Sequence, residues 1–126
     1  MNGSQQLRTA IYARTGSSQI YNSCQSQIEM LSRTVGLNAN RSLAGIHWDE
    51  GKSCNADRPG LEELLQKCDE GMYDEILVLN LSRLDRDPWN LLQFTHRLDA
   101  NHVRLTAVQE DTSAVLQSIG SVMKYG

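Results

Sequence analysis

The run Ile76-Leu77-Val78-Leu79 constrains the fold more than any other stretch of the chain. Alternate side chains of a strand point to opposite faces, so an unbroken apolar run must be covered on both. Such a strand belongs inside a parallel sheet with helices above and below it. The neighbouring sequence agrees. Ala10-Ile11-Tyr12-Ala13 reads as a first buried strand and Leu43 to Trp48 as a weaker second. Val103, Leu105 and Ala107, alternating with Arg104 and Thr106, read as a fourth. Amphipathic stretches separate them. Cys24, Ile28, Leu31 and Val35 form one stripe, behind a cap at Asn22 or Ser23 and before a stop at Gly36. Leu61, Leu64, Leu65 and Cys68 form the next, with Asp57 as its cap, Pro59 in its first turn and Gly71 at its end. Leu91, Phe94 and Leu98 follow Asp87-Pro88, and Ser113 caps a last helix carrying Val115, Ile119 and Val122. The expectation is a three-layer α/β domain with a mostly parallel central sheet over residues 8–112. A flexible tail, 1–7, precedes it, and the start of a truncated C-terminal helix, 113–126, follows.

Charge and cysteine content narrow the function. A formal net charge of -3 argues against a self-sufficient DNA-binding module, because phosphate neutralisation dominates such affinity. It is compatible with an enzyme domain delivered to DNA by another region. Cys24, Cys54 and Cys68 are odd in number and lack metal-ligand spacing, so they read as reduced thiols of a cytoplasmic protein. No signal pattern and no membrane-length apolar run appears, so no membrane partner is expected. His47, His96 and His102 fall in no metal motif.

Parallel strands bring their carboxyl ends to one edge, where ligands bind. The segments that follow the first three strands are Arg14 to Gln19, Asp49 to Arg58, and Leu81 to Asp87. Arg14, Arg58, Arg83 and Arg86 fall on or beside them, with Ser17, Ser18, Ser53 and Ser82 among them. Guanidinium forks match phosphate oxygens and keep their charge, so hydroxyls among them suggest phosphoryl transfer without a metal. Plainer readings stand beside this one. Arg83 and Arg86 are placed to pair with Asp85 and Asp87, Ser53 suits a loop turn, and Asp49 suits a cap or loop brace. Tyr12 suits the core, and Trp48 and Trp89 read as packing residues. A flavodoxin-like or receiver-type domain is a rival fold, but it leaves Arg83 and Arg86 unexplained.

In this order the segments resemble the catalytic domain of the serine recombinases, the family of the resolvases, invertases and large serine integrases. The carrying motifs are Tyr12-Ala13-Arg14-Thr15-Gly16-Ser17-Ser18-Gln19, then Asp49-Glu50-Gly51-Lys52-Ser53 with Asp57-Arg58-Pro59-Gly60-Leu61, then Leu81-Ser82-Arg83-Leu84-Asp85-Arg86-Asp87. Gln27 and Glu110-Asp111-Thr112 also fall where family members carry similar residues. The resemblance implies a resolvase-like fold and DNA cleavage by a serine oxygen through a 5′-phosphoserine link. It implies no cofactor and no metal, and double-stranded DNA held through a further C-terminal region. It also implies a homodimer that forms a synaptic homotetramer. By position, Arg14, Arg58, Arg83 and Arg86 would bind the phosphate, and Tyr12, Gln19, Asp49 and Ser53 would orient those groups. One departure stands out. Gly16 occupies the nucleophile slot and Ser17 follows it. Either a one-residue shift lets Ser17 attack, which is the preferred reading, or the domain is an inactive relative kept for assembly or regulation, or the nucleophile was removed deliberately.

Overall fold

A computed structural model describes residues 6–15, 23–50, 58–112 and 114–118. Among these residues four strands, β1 (Leu7–Thr15), β2 (Arg41–Glu50), β3 (Glu75–Val78) and β4 (Arg104–Ala107), alternate with α1 (Cys24–Gly36), α2 (Pro59–Asp69) and α3 (Pro88–Ala100). A 3-10 turn, Leu81–Arg83, follows β3, and residues 114–118 are helical. The strands form one parallel sheet in the order β2-β1-β3-β4. The chain leaves β1 toward one edge and afterwards steps the other way, past β1. Right-handed crossovers therefore put α1 on one face and both α2 and α3 on the other. The core follows that division. Ile11 and Leu77 pack with Leu31 and Val35 of α1, while Ala10, Tyr12, Ile76 and Val78 pack with Leu61, Leu64 and Leu65 of α2 and Leu91 and Leu98 of α3.

β3 is buried along its whole length, as an apolar central strand requires. β2 is longer than its sequence pattern suggests, and a shift in register explains why. Thr9 pairs with Leu43 but Ala10 with Gly45, so Ala44 is an extra residue. The bulge leaves Leu43, Ile46 and Trp48 opposite Thr9, Ile11 and Ala13, on the α1 side of the sheet. At this edge the helix does not cover them. Trp48 is 52% exposed, and Trp89, at the start of α3, is 55% exposed, so neither is the packing residue its composition suggests.

The helix starts are built from side chains near and far. Ser23 caps α1 by accepting from Ser26 N–H at 3.1 Å, and Asp87 caps α3 by accepting from Trp89 N–H at 2.9 Å. Asp57 and Ser113, the expected caps of α2 and of the last helix, lie outside the described residues. The N-cap position of α2 belongs to Arg58, whose side chain makes no capping bond. Asp111 accepts from Ala114 N–H at 3.1 Å and serves the helical residues 114–118.

Below the sheet, Glu75 at the start of β3 is fully buried. Arg41 meets it in a fork at 2.7 and 3.0 Å, and Thr9 and Thr106 donate hydroxyls at 2.9 and 2.8 Å. Burial pushes this carboxyl up, but the bonds from Arg41, Thr106 and Thr9 together hold it below its ordinary value. His47 is buried between Glu63, 3.0 Å from Nδ1, and the Tyr73 hydroxyl, 2.8 Å from Nε2, and burial lowers its pKa.

Candidate functional site

The order β2-β1-β3-β4 reverses direction between β1 and β3. A parallel sheet opens a crevice at the carboxyl ends of such a pair, since the following segments diverge to opposite faces. β1 ends there with Arg14 and Thr15, and the turn Leu81–Arg83 starts just beyond β3. The beginning of α2 reaches the same edge. The described site residues Tyr12, Arg14, Asp49, Arg58 and Arg83 come together at this point, knit by bonds between side chains and backbone. Ser17, Gln19 and Ser53, and with them Gly16 and Ser18, lie outside the described residues.

Each arginine-bearing segment is held by a polar group from elsewhere. For β1 the holder is Gln27, a buried residue of α1. Its side-chain oxygen accepts from Arg14 N–H at 3.3 Å, and its amide nitrogen donates to Arg14 C=O at 3.0 Å. For α2 it is Asp49, at the end of β2. Its carboxylate accepts from Gly60 N–H at 2.8 Å and Leu61 N–H at 2.9 Å, and from the Tyr12 hydroxyl at 2.8 Å. Asp49 thus caps α2 from the end of β2, and its negative charge sits at the positive end of the helix dipole. Gly60 makes this approach possible, because a Cβ there would lie 2.2 Å from the Trp48 carbonyl oxygen. For the 3-10 turn the holder is Glu110, whose carboxylate accepts from Leu81 N–H at 2.8 Å.

The guanidinium groups then join the segments to one another. Arg58 Nη2 donates to the Tyr12 hydroxyl at 3.0 Å and to Arg83 C=O at 2.9 Å, and Nη1 donates to Leu84 C=O. Among the described residues its buried Nε has no hydrogen-bond partner. Arg58 thereby braces the turn that carries Arg83, and its positive charge at a helix N-terminus is offset by Asp49 through the shared Tyr12 hydroxyl. Burial raises the Tyr12 pKa, against the pull of Arg58, so the phenol stays protonated and able to donate to Asp49. Arg83 Nη1 donates to Arg14 C=O at 3.0 Å. Burial lowers the Arg83 pKa from its ordinary value, and the nearby charges of Arg86 and Arg14 lower it further. Arg83, half-buried, thus feels the like charges of half-buried Arg14 and exposed Arg86, an arrangement that an anion would stabilise. A phosphate would relieve the repulsion and accept several charge-assisted bonds at once.

Among the described residues, Asp85 and Asp87 are engaged with amide groups. Asp85 accepts from Asp87 N–H at 2.8 Å and from the Asn90 side chain at 3.1 Å, while Asp87 caps α3. Cys24 lies alongside, its Sγ 3.6 Å from the Thr15 hydroxyl and 3.5 Å from Asp49 O, and burial raises its pKa. Gln27 and Glu110 fall where the resemblance already pointed, but their bracing roles are not given by residue pattern. Locally, Gln27 stands out as a polar side chain three residues from Cys24 on the buried face of α1.

Comparison with known proteins supplies the context. The model of the resolvase N-terminal domain family matches residues 9–123. The Tn3 transposon resolvase of Escherichia coli is 36% identical over 107 residues, which cover 85% of this chain and 53% of that protein. The chain thus spans about half the length of the curated relatives it matches. Among solved structures, the N-terminal catalytic domain of TP901-1 integrase superposes with a TM-score of 0.78 at 20% identity, over 94% of this chain and 95% of that one. A resolvase family site-specific recombinase from Streptococcus pneumoniae also gives 0.78, at 21% identity, over 95% and 87%.

Proposed function

The chain belongs to the resolvase family, and from that premise we propose that it breaks and rejoins DNA at specific sites through a serine ester. In this reading a serine oxygen attacks a backbone phosphorus. The new O–P bond forms as the bond to the deoxyribose 3′ oxygen breaks, leaving the 5′ phosphate on the serine. The attacking hydroxyl releases its proton and the leaving 3′ oxygen takes one up. A 3′ hydroxyl from another strand then reverses the step, so the ester conserves the bond and neither ATP nor a metal ion is required.

Ser17 is the proposed nucleophile. Arg14, Arg83 and Arg86 bind the phosphate and offset the charge that grows on its oxygens. Arg58 adds its charge from behind while bracing the turn, with Tyr12 and Asp49 fixing its place and Gln19 and Ser53 orienting the reacting groups. The observation that carries the reading is the meeting of three arginine-bearing segments at the switch between β1 and β3, where Arg83 donates to the Arg14 carbonyl. Double-stranded DNA is the partner, reached through a region C-terminal to the catalytic domain, and a homodimer assembles into a synaptic tetramer. The net charge of -3 fits weak DNA binding by this chain alone.

Gly16 in the usual nucleophile slot favours a second reading, an inactive resolvase-like domain kept for assembly or regulation. Incubation of the full-length protein with DNA carrying its site separates the two. A covalent protein–DNA adduct that Ser17→Ala abolishes supports the first reading. No adduct under conditions where the complex forms supports the second.

A further inference from the structure

The Leu81–Arg83 turn carries the arginine that meets β1, yet its own N-terminus has no local cap. Asn80 stands at the cap position and its side chain makes no capping bond. Instead Asn80 donates to the Gln109 side chain at 3.3 Å, and its Oδ1 accepts from Ser82. The first amide of the turn, Leu81 N–H, is taken by Glu110 at 2.8 Å. A carboxylate accepting from a half-buried amide is a strong anchor, and leaving that amide unbonded is costly.

Glu110 occupies a particular place in the chain. β4 continues past its last residue by donating from Val108 and Gln109 N–H to Val78 and Leu79 C=O, both at 3.0 Å. Next after Glu110 comes Asp111, which caps the helical residues 114–118, and the Thr112 hydroxyl accepts from Ala107 N–H at 2.8 Å. Val115 and Leu116 of that helix pack on the cluster that contains Leu81 and Leu84, the two apolar residues flanking Arg83. One short stretch therefore ends the sheet, launches the C-terminal helix and holds the arginine turn.

We propose that Glu110 is a positioning residue, tying the Arg83 turn to the base of the C-terminal helix so that the setting of that helix governs the placement of Arg83. The proposal rests on the recombinase reading for its catalytic consequence, but not for its structural one. Glutamine at this position keeps an oxygen able to accept from Leu81 N–H. Alanine removes it, and aspartate keeps the charge but withdraws the oxygen by one methylene.

The test measures two things on Glu110→Gln, Glu110→Asp and Glu110→Ala. The first is exchange of the Leu81 amide, read by NMR on this chain. The second is the rate of adduct formation against DNA affinity in the full-length protein. The alanine and aspartate variants are expected to speed Leu81 exchange by about tenfold or more, and to slow adduct formation by ~10–100-fold with affinity nearly unchanged. The glutamine variant is expected to restore both. Aspartate serves where alanine fails to fold. Unchanged Leu81 exchange in alanine and aspartate overturns the proposal. So does a glutamine variant as impaired as alanine, or a loss confined to affinity. If the unaltered protein forms no adduct, the recombinase reading fails on its own, and the exchange data alone decide whether Glu110 anchors the turn.

Discussion

Replacing Asp49 with asparagine changes one atom and is expected to cost a large part of the stability of the domain. The carboxylate is buried and accepts three bonds, from Gly60 N–H, Leu61 N–H and the Tyr12 hydroxyl. Oδ1 faces the Gly60 amide, while Oδ2 faces both Leu61 and Tyr12. An asparagine has a single acceptor oxygen. In one orientation its NH2 points at Gly60 N–H, and in the other at Leu61 N–H, so one pair of donors must face each other. Bonds to a charged group contribute about 1.5–3 kcal/mol each, and a lost cap costs ~1 kcal/mol. Allowing partial rearrangement, Asp49→Asn should destabilise by roughly 2–4 kcal/mol and Asp49→Ala by about 3–5 kcal/mol. Domains of this size are stable by ~5–15 kcal/mol in all, so the loss is plain in urea denaturation followed by far-UV circular dichroism. The midpoint should fall with an unchanged slope. A loss below about 1 kcal/mol for Asp49→Asn would show that Asp49 is not the cap of α2, and the account of how Arg58 is placed would fall with it.

Three further outcomes are expected. Glu75 has its pKa held below the ordinary 4.5, so its stabilising effect is complete above that value and is lost as pH falls through the lower folded value. The acid limb of the stability profile should therefore flatten in Glu75→Gln, and a limb identical to that of the parent would refute the assignment. Gly60→Ala brings a Cβ to 2.2 Å from Trp48 O and should lower stability by ~1–3 kcal/mol, whereas Gly36→Ala, with nothing within 4 Å, should be neutral or slightly stabilising; equal melting temperatures for the two variants would contradict this. Cys68 is buried with its pKa pushed up to about 11, so at pH 8 its labelling by a thiol reagent should be slow in the native state and rapid in urea. Fast native labelling of Cys68, identified by peptide mapping, would show that α2 opens readily.

Much of the architecture was legible before any coordinates, because its signals are local. An apolar run at Ile76–Leu79 demands burial on both faces wherever it lies, and stripes at Cys24–Val35 and Leu61–Cys68 demand helices with one buried side. Arginines at the ends of successive strands follow from the same reading, since parallel strands share one carboxyl edge. Other features depend on contacts between residues far apart in the chain, which no local pattern encodes. The bulge at Ala44 sets which face Trp48 occupies, and its exposure follows from how far α1 reaches across the sheet. Likewise, Asp49 caps a helix that starts ten positions later, Gln27 clamps Arg14, and Glu110 holds a turn 29 residues before it. Residue order alone placed arginines just after successive strands. Only the packed sheet decided which carbonyls Arg58 and Arg83 brace, because a guanidinium donates to whichever carbonyls the fold brings within its reach.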